Sequence, residues 1–520
     1  MACSAASSYG GGSVRGAIRR LYGGRPAEPL TILHATVPPV TSRLLHDGAH
    51  VLNAVLDCLR DQQLSTSSEQ SAATATPTSH WLLSVPAPLR QDEAAVVNYL
   101  GMMVAIDFCH WAEVGGAVPA RPGDAVTGFA GFYAVVEEEP AGGPSEPHHG
   151  GAPSGTTERL TEPPSQAPAV SDGCATPTKP LLRGSAAMMY LLRRAVEVHG
   201  VAWYDPHYLQ RWGNDAAAAT EALRVCFLGC AADGVTPLWM PCTRERVELL
   251  LSLADALVER HTSFHAILRE CGGCVFASTA AAAGHVGGLV PALIRLHPRY
   301  SDFAQVPVCR SGGAVEGLVE SCTVPVLKLA QLTALALEQA LPALWSCRAA
   351  CSASSEPRPS APAPSAPDSW LERRRAAHAA RAHTAKSGAT ATSPLPSVGL
   401  FADIDELSVC CDYQIPRTLR AAGLLVYDDH LAWAVDHHIL LAPGSAEETS
   451  IRVATLVAAD RLMGHLNAAP TGSADGAACA APDGQAPFCA VHHLDYALWY
   501  VGRYMVSSDA RHHLCRTVMY

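Results

Sequence analysis

The chain has 520 residues, of which 48% are hydrophobic and 16% charged, and its formal net charge is −11. That acidic balance excludes a protein that coats long nucleic acid, because such binding draws its affinity from cations that neutralise phosphates, yet it is compatible with one small anion in one pocket. Eighteen cysteines without an apolar h-region after Arg15, Arg19 and Arg20 read as reduced thiols in a cytoplasmic protein, and no uncharged run of about 18 apolar residues offers a membrane span.

In chain order, residues 1–28 read as a flexible N-terminus and 29–520 as one domain. Leu, Ala and Val at three- and four-residue spacing predict helices over 48–61, 92–111, 185–199, 244–260, 262–294, 325–345, 416–423 and 449–466. Strand-like alternation is confined to 80–84, 129–136 and 439–441, so the fold class is mainly α with a small β element. Asp205-Pro206 stops one segment, Pro241 through Thr243 with Glu245 and Glu248 starts another, and His297-Pro298 closes the long central one. Four stretches, at about 62–79, 140–180, 348–395 and 466–487, carry too few large apolar side chains to offset the entropy of ordering and read as low-complexity, disordered insertions. Without them and the N-terminus roughly 350–380 residues remain, enough for one large domain.

Few chemical motifs survive inspection. Cys271-Gly-Gly-Cys274 has no second pair at zinc-site spacing and no redox-fold context, so it reads as ordinary thiols. The doublets His437-His438, His492-His493 and His512-His513 cannot aim both members at one site. Phosphate-binding, dinucleotide, nucleophile-elbow and zinc-protease signatures are missing, and no metal or organic cofactor is expected. What stands out is acid beside aromatic. Asp403, Asp405, Glu406 and Asp412 crowd into 401–417, and further such elements are Asp107-Phe-Cys-His-Trp111, Asp412-Tyr413 and Leu494-Asp-Tyr-Ala-Leu-Trp-Tyr500. A buried carboxylate must be paired, capping or functional, and aromatic faces beside carboxylates suit a flat heterocycle with N–H groups on its edge.

In these residues the chain resembles the queuosine salvage family of queuosine 5′-phosphate N-glycosylase/hydrolases. Asp107-Phe-Cys-His-Trp111 resembles the family's Asn-Phe-[Ser/Cys]-Phe-Trp, and Gly184 through Gly200 its Gly-x-x-[Ser/Ala]-Leu helix. Pro237-Leu238 with Glu245-Arg246, His297 through Asp302, and Lys328-Leu-Ala-Gln331 follow in the family's order. Cys410-Cys-Asp-Tyr-Gln-Ile-Pro-Arg417 resembles Phe-Ala-Asp-Tyr-Arg-[Val/Leu]-Pro-Gln, Gly444 through Arg452 resembles Gly-[Ser/Asp]-x-x-Glu-x-x-Ile-Arg, and Leu494 through Trp499 resembles Leu-Asp-Tyr-x-Leu-Trp. The chain departs from the pattern at Asp107, His110, Leu329, Cys410, Gln414 and Arg417.

The resemblance implies a helical domain similar to DNA-glycosylase-like helical folds. It also implies hydrolysis of the N-glycosidic bond of queuosine 5′-monophosphate, releasing queuine and ribose 5-phosphate for tRNA queuosine modification. Asp412 would face the sugar and Asp495 the base, or the two would exchange roles. Tyr496, Tyr500, Phe108 and Trp111 would supply apolar walls, with Asp107, Cys410 and Tyr413 beside them. Lys328 would take the 5′-phosphate, helped by Arg452 or Arg417, the alternative for Lys328 being a salt bridge to a nearby acid. The expected partner is the small-molecule substrate alone, bound by a monomer. The competing expectation is a non-catalytic nucleoside- or tRNA-binding protein of the same fold. A DNA-repair glycosylase is disfavoured, because no basic, glycine-rich hairpin is present to grip duplex phosphates.

Overall fold

The computed structural model describes residues 11–22, 29–39, 46–71, 79–113, 119–137, 179–276, 287–309, 319–352, 369–386, 399–468 and 489–520. Among these the protein is mainly α, with five small sheets at its margins. Seven helices matter for the cavity described below: α1 (His46–Ser71), α2 (Glu93–Ala105), α3 (Ser185–Glu197), α4 (Lys328–Ser352), α5 (Gln414–Ala421), α6 (Ala446–Leu466) and α7 (Val491–Tyr504), of which α3, α4, α5 and α7 line it and the others pack behind them.

Helix α2 is apolar around nearly its whole circumference, from Val96 to Ala105, so it runs through the core rather than over it. Asp92 starts it by accepting from the Ala94 N–H at 3.0 Å. A β-carbon at Gly101 would lie 2.3 Å from the Phe264 ring, so only glycine lets that neighbouring helix approach. Helix α4 crosses α2 and is buried from Lys328 to Leu337. Helix α6 opens with a reciprocal cap: Ser445 Oγ accepts from the Glu448 N–H at 3.3 Å, and the Glu448 carboxylate accepts from the Gly444 N–H at 3.1 Å. Helices α5 and α7 meet at Gly502, where a β-carbon would stand 2.3 Å from Thr418 Oγ1. Thr418 donates across that contact to the Leu498 carbonyl at 2.7 Å.

An antiparallel four-stranded sheet, ordered Leu181–Arg183, Tyr133–Val135, Leu228–Cys230 and Pro237–Trp239, carries the chain into α3 through Gly184. The strand expected at 129–136 is present as Phe129–Gly131 and Tyr133–Val135, and that at 439–441 as Leu440–Leu441. Residues 80–84 instead form a short helix, His80–Ser84, closed by the Ser84 hydroxyl donating to the Trp81 carbonyl. The expected long helix over 262–294 is divided into Phe264–Glu270 and Leu289–Leu296. Its break falls at Gly272 and Gly273, whose φ values of 67° and 80° no helix can accommodate. Helix α2 ends at Ala105 rather than 111: Cys109 turns to φ 46° and its N–H donates to the Tyr520 carbonyl at 2.9 Å, while the buried Arg246 guanidinium holds the non-helical carbonyls of Ile106, Phe108 and Cys109.

Of the expected insertions, 72–78, 140–178, 353–368, 387–395 and 469–487 lie outside the described residues. Within those stretches, however, α1 continues to Ser71 and Trp370–Lys386 forms a helix. The latter is made of good helix formers and is tethered by Trp370 Nε1, which donates to the Arg269 carbonyl at 2.8 Å. Inside the first 28 residues, Val14–Tyr22 is also a helix, with Val14 and Ile18 buried and Arg15 paired with Asp460 at 2.5 Å. No helix among the described residues is long and apolar enough to cross a membrane.

Candidate active site

Helix α7 has two faces. Val491, Leu494, Leu498 and Val501 are buried at helical spacing, and the adjoining stripe of His492, Asp495, Tyr496, Trp499 and Arg503 opens on a cavity of about 310 Å³. Helix α4 presents a matching stripe, Lys328, Leu332, Leu335 and Gln339, to the same space. The remaining wall comes from His80 and Trp81, from Asp107, His110 and Trp111, from Arg183 to Ala186 with Met189, from Cys410 and Asp412 to Ile415, and from His512 and Tyr520.

The two stripes grade the cavity. His492 and Arg503 stand eleven positions apart, as do Lys328 and Gln339, which at 1.5 Å per residue is roughly 16 Å along each helix. The Lys328 end of α4 meets Asp107, Asp412 and Asp495. Gln339, His80 and His492 are neutral polar groups among Trp81, Leu332 and Leu335. At the C-terminal end of α7 stand Arg503 and Arg183. One cavity thus contains a cationic end, an acidic middle and a neutral, aromatic-lined end.

Each acid of the middle is held differently. Asp412 Oδ1 accepts from the N–H groups of Gln414 at 2.7 Å and Ile415 at 3.1 Å, capping α5 with one oxygen. Asp495 Oδ1 accepts from the Cys410 N–H at 2.6 Å. Burial pushes Asp495 up, the Cys410 N–H opposes that, and the charge of Asp412 adds to it, leaving the carboxyl at about 7. Burial raises Asp412 as well, against the pull of Lys328 and of its two backbone donors. Asp107 goes the other way. Burial penalises its charge, but the Lys328 ammonium, His110 at 2.7 Å and the Ser185 hydroxyl at 2.9 Å outweigh that and hold it well below the usual carboxylate range.

Of the residues nominated from sequence, Asp107, Trp111, Lys328, Cys410, Asp412, Tyr413, Asp495 and Tyr496 line this cavity. Phe108, Tyr500 and Arg452 do not. Phe108 is fully buried against the guanidinium groups of Arg246 and Arg299, whose central carbons lie 4.3 and 4.7 Å from its ring centre. Tyr500 stacks on the outer side of the wall against Tyr496, ring centres 5.8 Å apart. Arg452 binds Asp302 through two hydrogen bonds of 2.8 and 2.6 Å and lies under the ring of Tyr520, which itself reaches the cavity. Lys328 donates to the Asp107 carbonyl at 2.7 Å and pairs with its carboxylate at 3.7 Å, the salt-bridge alternative for that residue. Arg417 donates to the carbonyls of Ala510, Gly502 and Ser507 and ties α5 to the chain after α7.

Sequence reasoning did not nominate Arg183, Arg503, His80, Gln339, His492 or Trp499. Those on α7 were within reach, because 492, 495, 496, 499 and 503 share one face once that segment is read as a helix. His80, Arg183 and Gln339 carry no local signal, and only tertiary packing delivers them. Among the described residues no group of His, Cys, Asp and Glu is placed to hold a metal ion.

The fold and cavity define a mainly helical protein with an internal, carboxylate-centred pocket. Residues 385–520, which contribute Cys410 to Ile415 and all of α7, match the sequence model of the family described as queuosine salvage protein. The curated relative named queuosine 5′-phosphate N-glycosylase/hydrolase, from Sphaerobacter thermophilus, is 28% identical over 123 residues, 24% of this chain and 33% of that protein. The match therefore spans about a third of the relative's length. Asp107, Arg183 and Lys328 lie before the segment that the family model covers.

Proposed function

We propose that this protein hydrolyses the N-glycosidic bond of queuosine 5′-monophosphate, releasing queuine and ribose 5-phosphate. The supporting observation is that Asp412 and Asp495, eighty-three positions apart in sequence, face one cavity. Each is fixed through one oxygen by backbone N–H groups, which leaves the other oxygen for a ligand.

The two acids divide the chemistry. As the C1′–N bond breaks, its electron pair leaves with the base and positive charge grows at C1′, where the Asp412 carboxylate stabilises it. Asp495, at about 7, is protonated in about half of the molecules at neutral pH, and that form donates its proton towards the departing ring, so that the base leaves neutral. Water then adds to C1′ and gives its proton to the carboxylate on that face. The neutral end of the cavity, with Trp81, Leu332 and Leu335 around His80, Gln339 and His492, suits a flat base with a hydroxylated arm.

The test is to incubate the full-length protein with queuosine 5′-monophosphate and follow free queuine by chromatography with mass detection. Release by the wild type and its loss in Asp412→Asn is the expected result. A wild type that binds the nucleotide but releases no queuine would overturn the hydrolase reading in favour of a binding protein.

A further inference from the structure

Three cations were natural candidates for the substrate's phosphate, and all three are already engaged by the protein itself. Lys328 is engaged by Asp107, Arg452 by Asp302, and Arg417 by four backbone carbonyls. Arg183 and Arg503 are not: both line the cavity, and among the described residues neither has a carboxylate within ion-pair distance. They come from different elements, the last position of the strand Leu181–Arg183 and the final turn of α7. Gly184, at φ 62°, turns the chain so closely past them that a β-carbon there would lie 3.9 Å from Arg503 Nη2. Each guanidinium is close enough to Tyr413 for its charge to act on the phenol, which follows Asp412 directly and forms part of the same wall.

Each guanidinium rests on a tyrosine ring, Arg183 on Tyr133 and Arg503 on Tyr504, but without a carboxylate between them the two repel each other, and burial with that repulsion lowers the Arg183 pKa. In a protein of net charge −11 with 48 acidic side chains, that arrangement is conspicuous for lacking a carboxylate. It is relieved when a dianion enters, because the planar fork of arginine matches phosphate oxygens in paired hydrogen bonds. The position is right as well. Arg503 lies eight residues beyond Asp495 on the same face of α7, roughly 12 Å along the axis, a distance that an extended arginine and a ribose 5-phosphate can cover between them.

We propose that Arg183 and Arg503 form the phosphate end of the cavity and clamp the 5′-phosphate of the nucleotide substrate, with the Tyr413 hydroxyl as a third donor. This rests on reading the cavity as a nucleotide pocket. The pair makes the protein selective for the monophosphate over the free nucleoside, and it fixes the direction in which the substrate lies, with the base towards His80 and Gln339.

The test uses the full-length protein, Arg183→Met and Arg503→Met, and two measurements. Calorimetric titration with ribose 5-phosphate and with ribose reads the clamp without any turnover. The wild type should bind the phosphorylated sugar at least about 10-fold more tightly, and each variant should lose about 10- to 100-fold in that affinity. In turnover, kcat/KM for queuosine 5′-monophosphate should fall by a similar factor, whereas that for unphosphorylated queuosine should change by less than about 3-fold. A structural role would lower both substrates together. Equal losses on the two substrates, or ribose 5-phosphate affinity unchanged in Arg503→Met, would overturn the proposal. If the wild type binds ribose 5-phosphate through this pair yet releases no queuine, the hydrolase reading fails and the phosphate site stands.

Discussion

Asp302 and Glu448 are buried in the packed interior, whereas Asp412 and Asp495 open on the cavity, and the two pairs are compensated differently. Asp302 receives both terminal nitrogens of Arg452, and Glu448 lies 3.7 Å from the same guanidinium while also capping α6. Burial and the neighbouring Asp302 still raise Glu448, but both acids touch one guanidinium directly. Asp412 and Asp495 share Lys328 with Asp107, so three carboxylates look to one ammonium, and two of them are raised rather than depressed. A satisfied ion cluster stabilises the fold and does little else, whereas an under-compensated one leaves protons and oxygens available to a ligand.

The widest separation between the two clusters should appear on truncation. Asp302→Ala leaves the buried Arg452 without its main partner and should cost about 3–5 kcal/mol of stability, read as a fall in the denaturant midpoint. Asp412→Asn keeps an oxygen for the Gln414 and Ile415 N–H groups and should fold normally, while queuine release drops by about 10²- to 10³-fold. If Asp412→Asn unfolds the protein as Asp302→Ala does, the division between scaffold and site collapses.

That division was only partly legible in the sequence. Asp412, Asp495, Asp107 and Lys328 were reachable because each stands in a motif with an ordered counterpart in the queuosine salvage family. Arg452 and Phe108 stand in such motifs too, and nothing local distinguishes an arginine that meets a ligand from one that meets Asp302. Phe108 looks like a stacking platform in sequence, but the two guanidinium groups that lie over its ring come from positions 246 and 299. The helical fold was legible because period alone carries it. Its breaks at 106–109 and 272–273 were not, since they depend on distant partners, Arg246 and Tyr520, and on the backbone sign of two glycines.

Asp495 sharpens the comparison through pH. Its folded pKa, about 7, lies above the ordinary aspartate value, so the folded protein holds a proton that the unfolded chain releases. Stability is therefore highest at low pH as far as this group is concerned, and it declines as pH rises from about 4 through about 7, by on the order of 4 kcal/mol in all. Asp495→Asn retains an acceptor for the Cys410 N–H and never ionises. It should be more stable than the wild type at pH 8 and indistinguishable from it at pH 4 in denaturant titrations. Its activity should nonetheless be lost, and the wild-type rate should decline on the alkaline side with an apparent pKa of about 7. A variant less stable than the wild type at pH 8 would show that Asp495 is a paired structural acid like Asp302.

The smallest effect is asked of Phe108, the aromatic residue that sequence places in the site and the structure places behind it. Both Arg246 and Arg299 lie over its ring, and neither guanidinium has a carboxylate within 4 Å among the described residues; the backbone carbonyls of Ala105, Ile106, Phe108 and Cys109 and the ring take their charge instead. Phe108→Leu keeps most of the buried volume and removes both ring contacts, so stability should fall by about 1–2 kcal/mol. The carbonyls that Arg246 binds on Ile106, Phe108 and Cys109 remain, and with them the path of the chain from α2 to Trp111. KM and kcat for queuosine 5′-monophosphate should then stay within about 3-fold of the wild type. Trp111→Leu, which alters the cavity wall itself and also removes buried volume, should raise KM and lower stability together. A large rise in KM for Phe108→Leu at unchanged stability would return Phe108 to the site and redraw the boundary between the two regions.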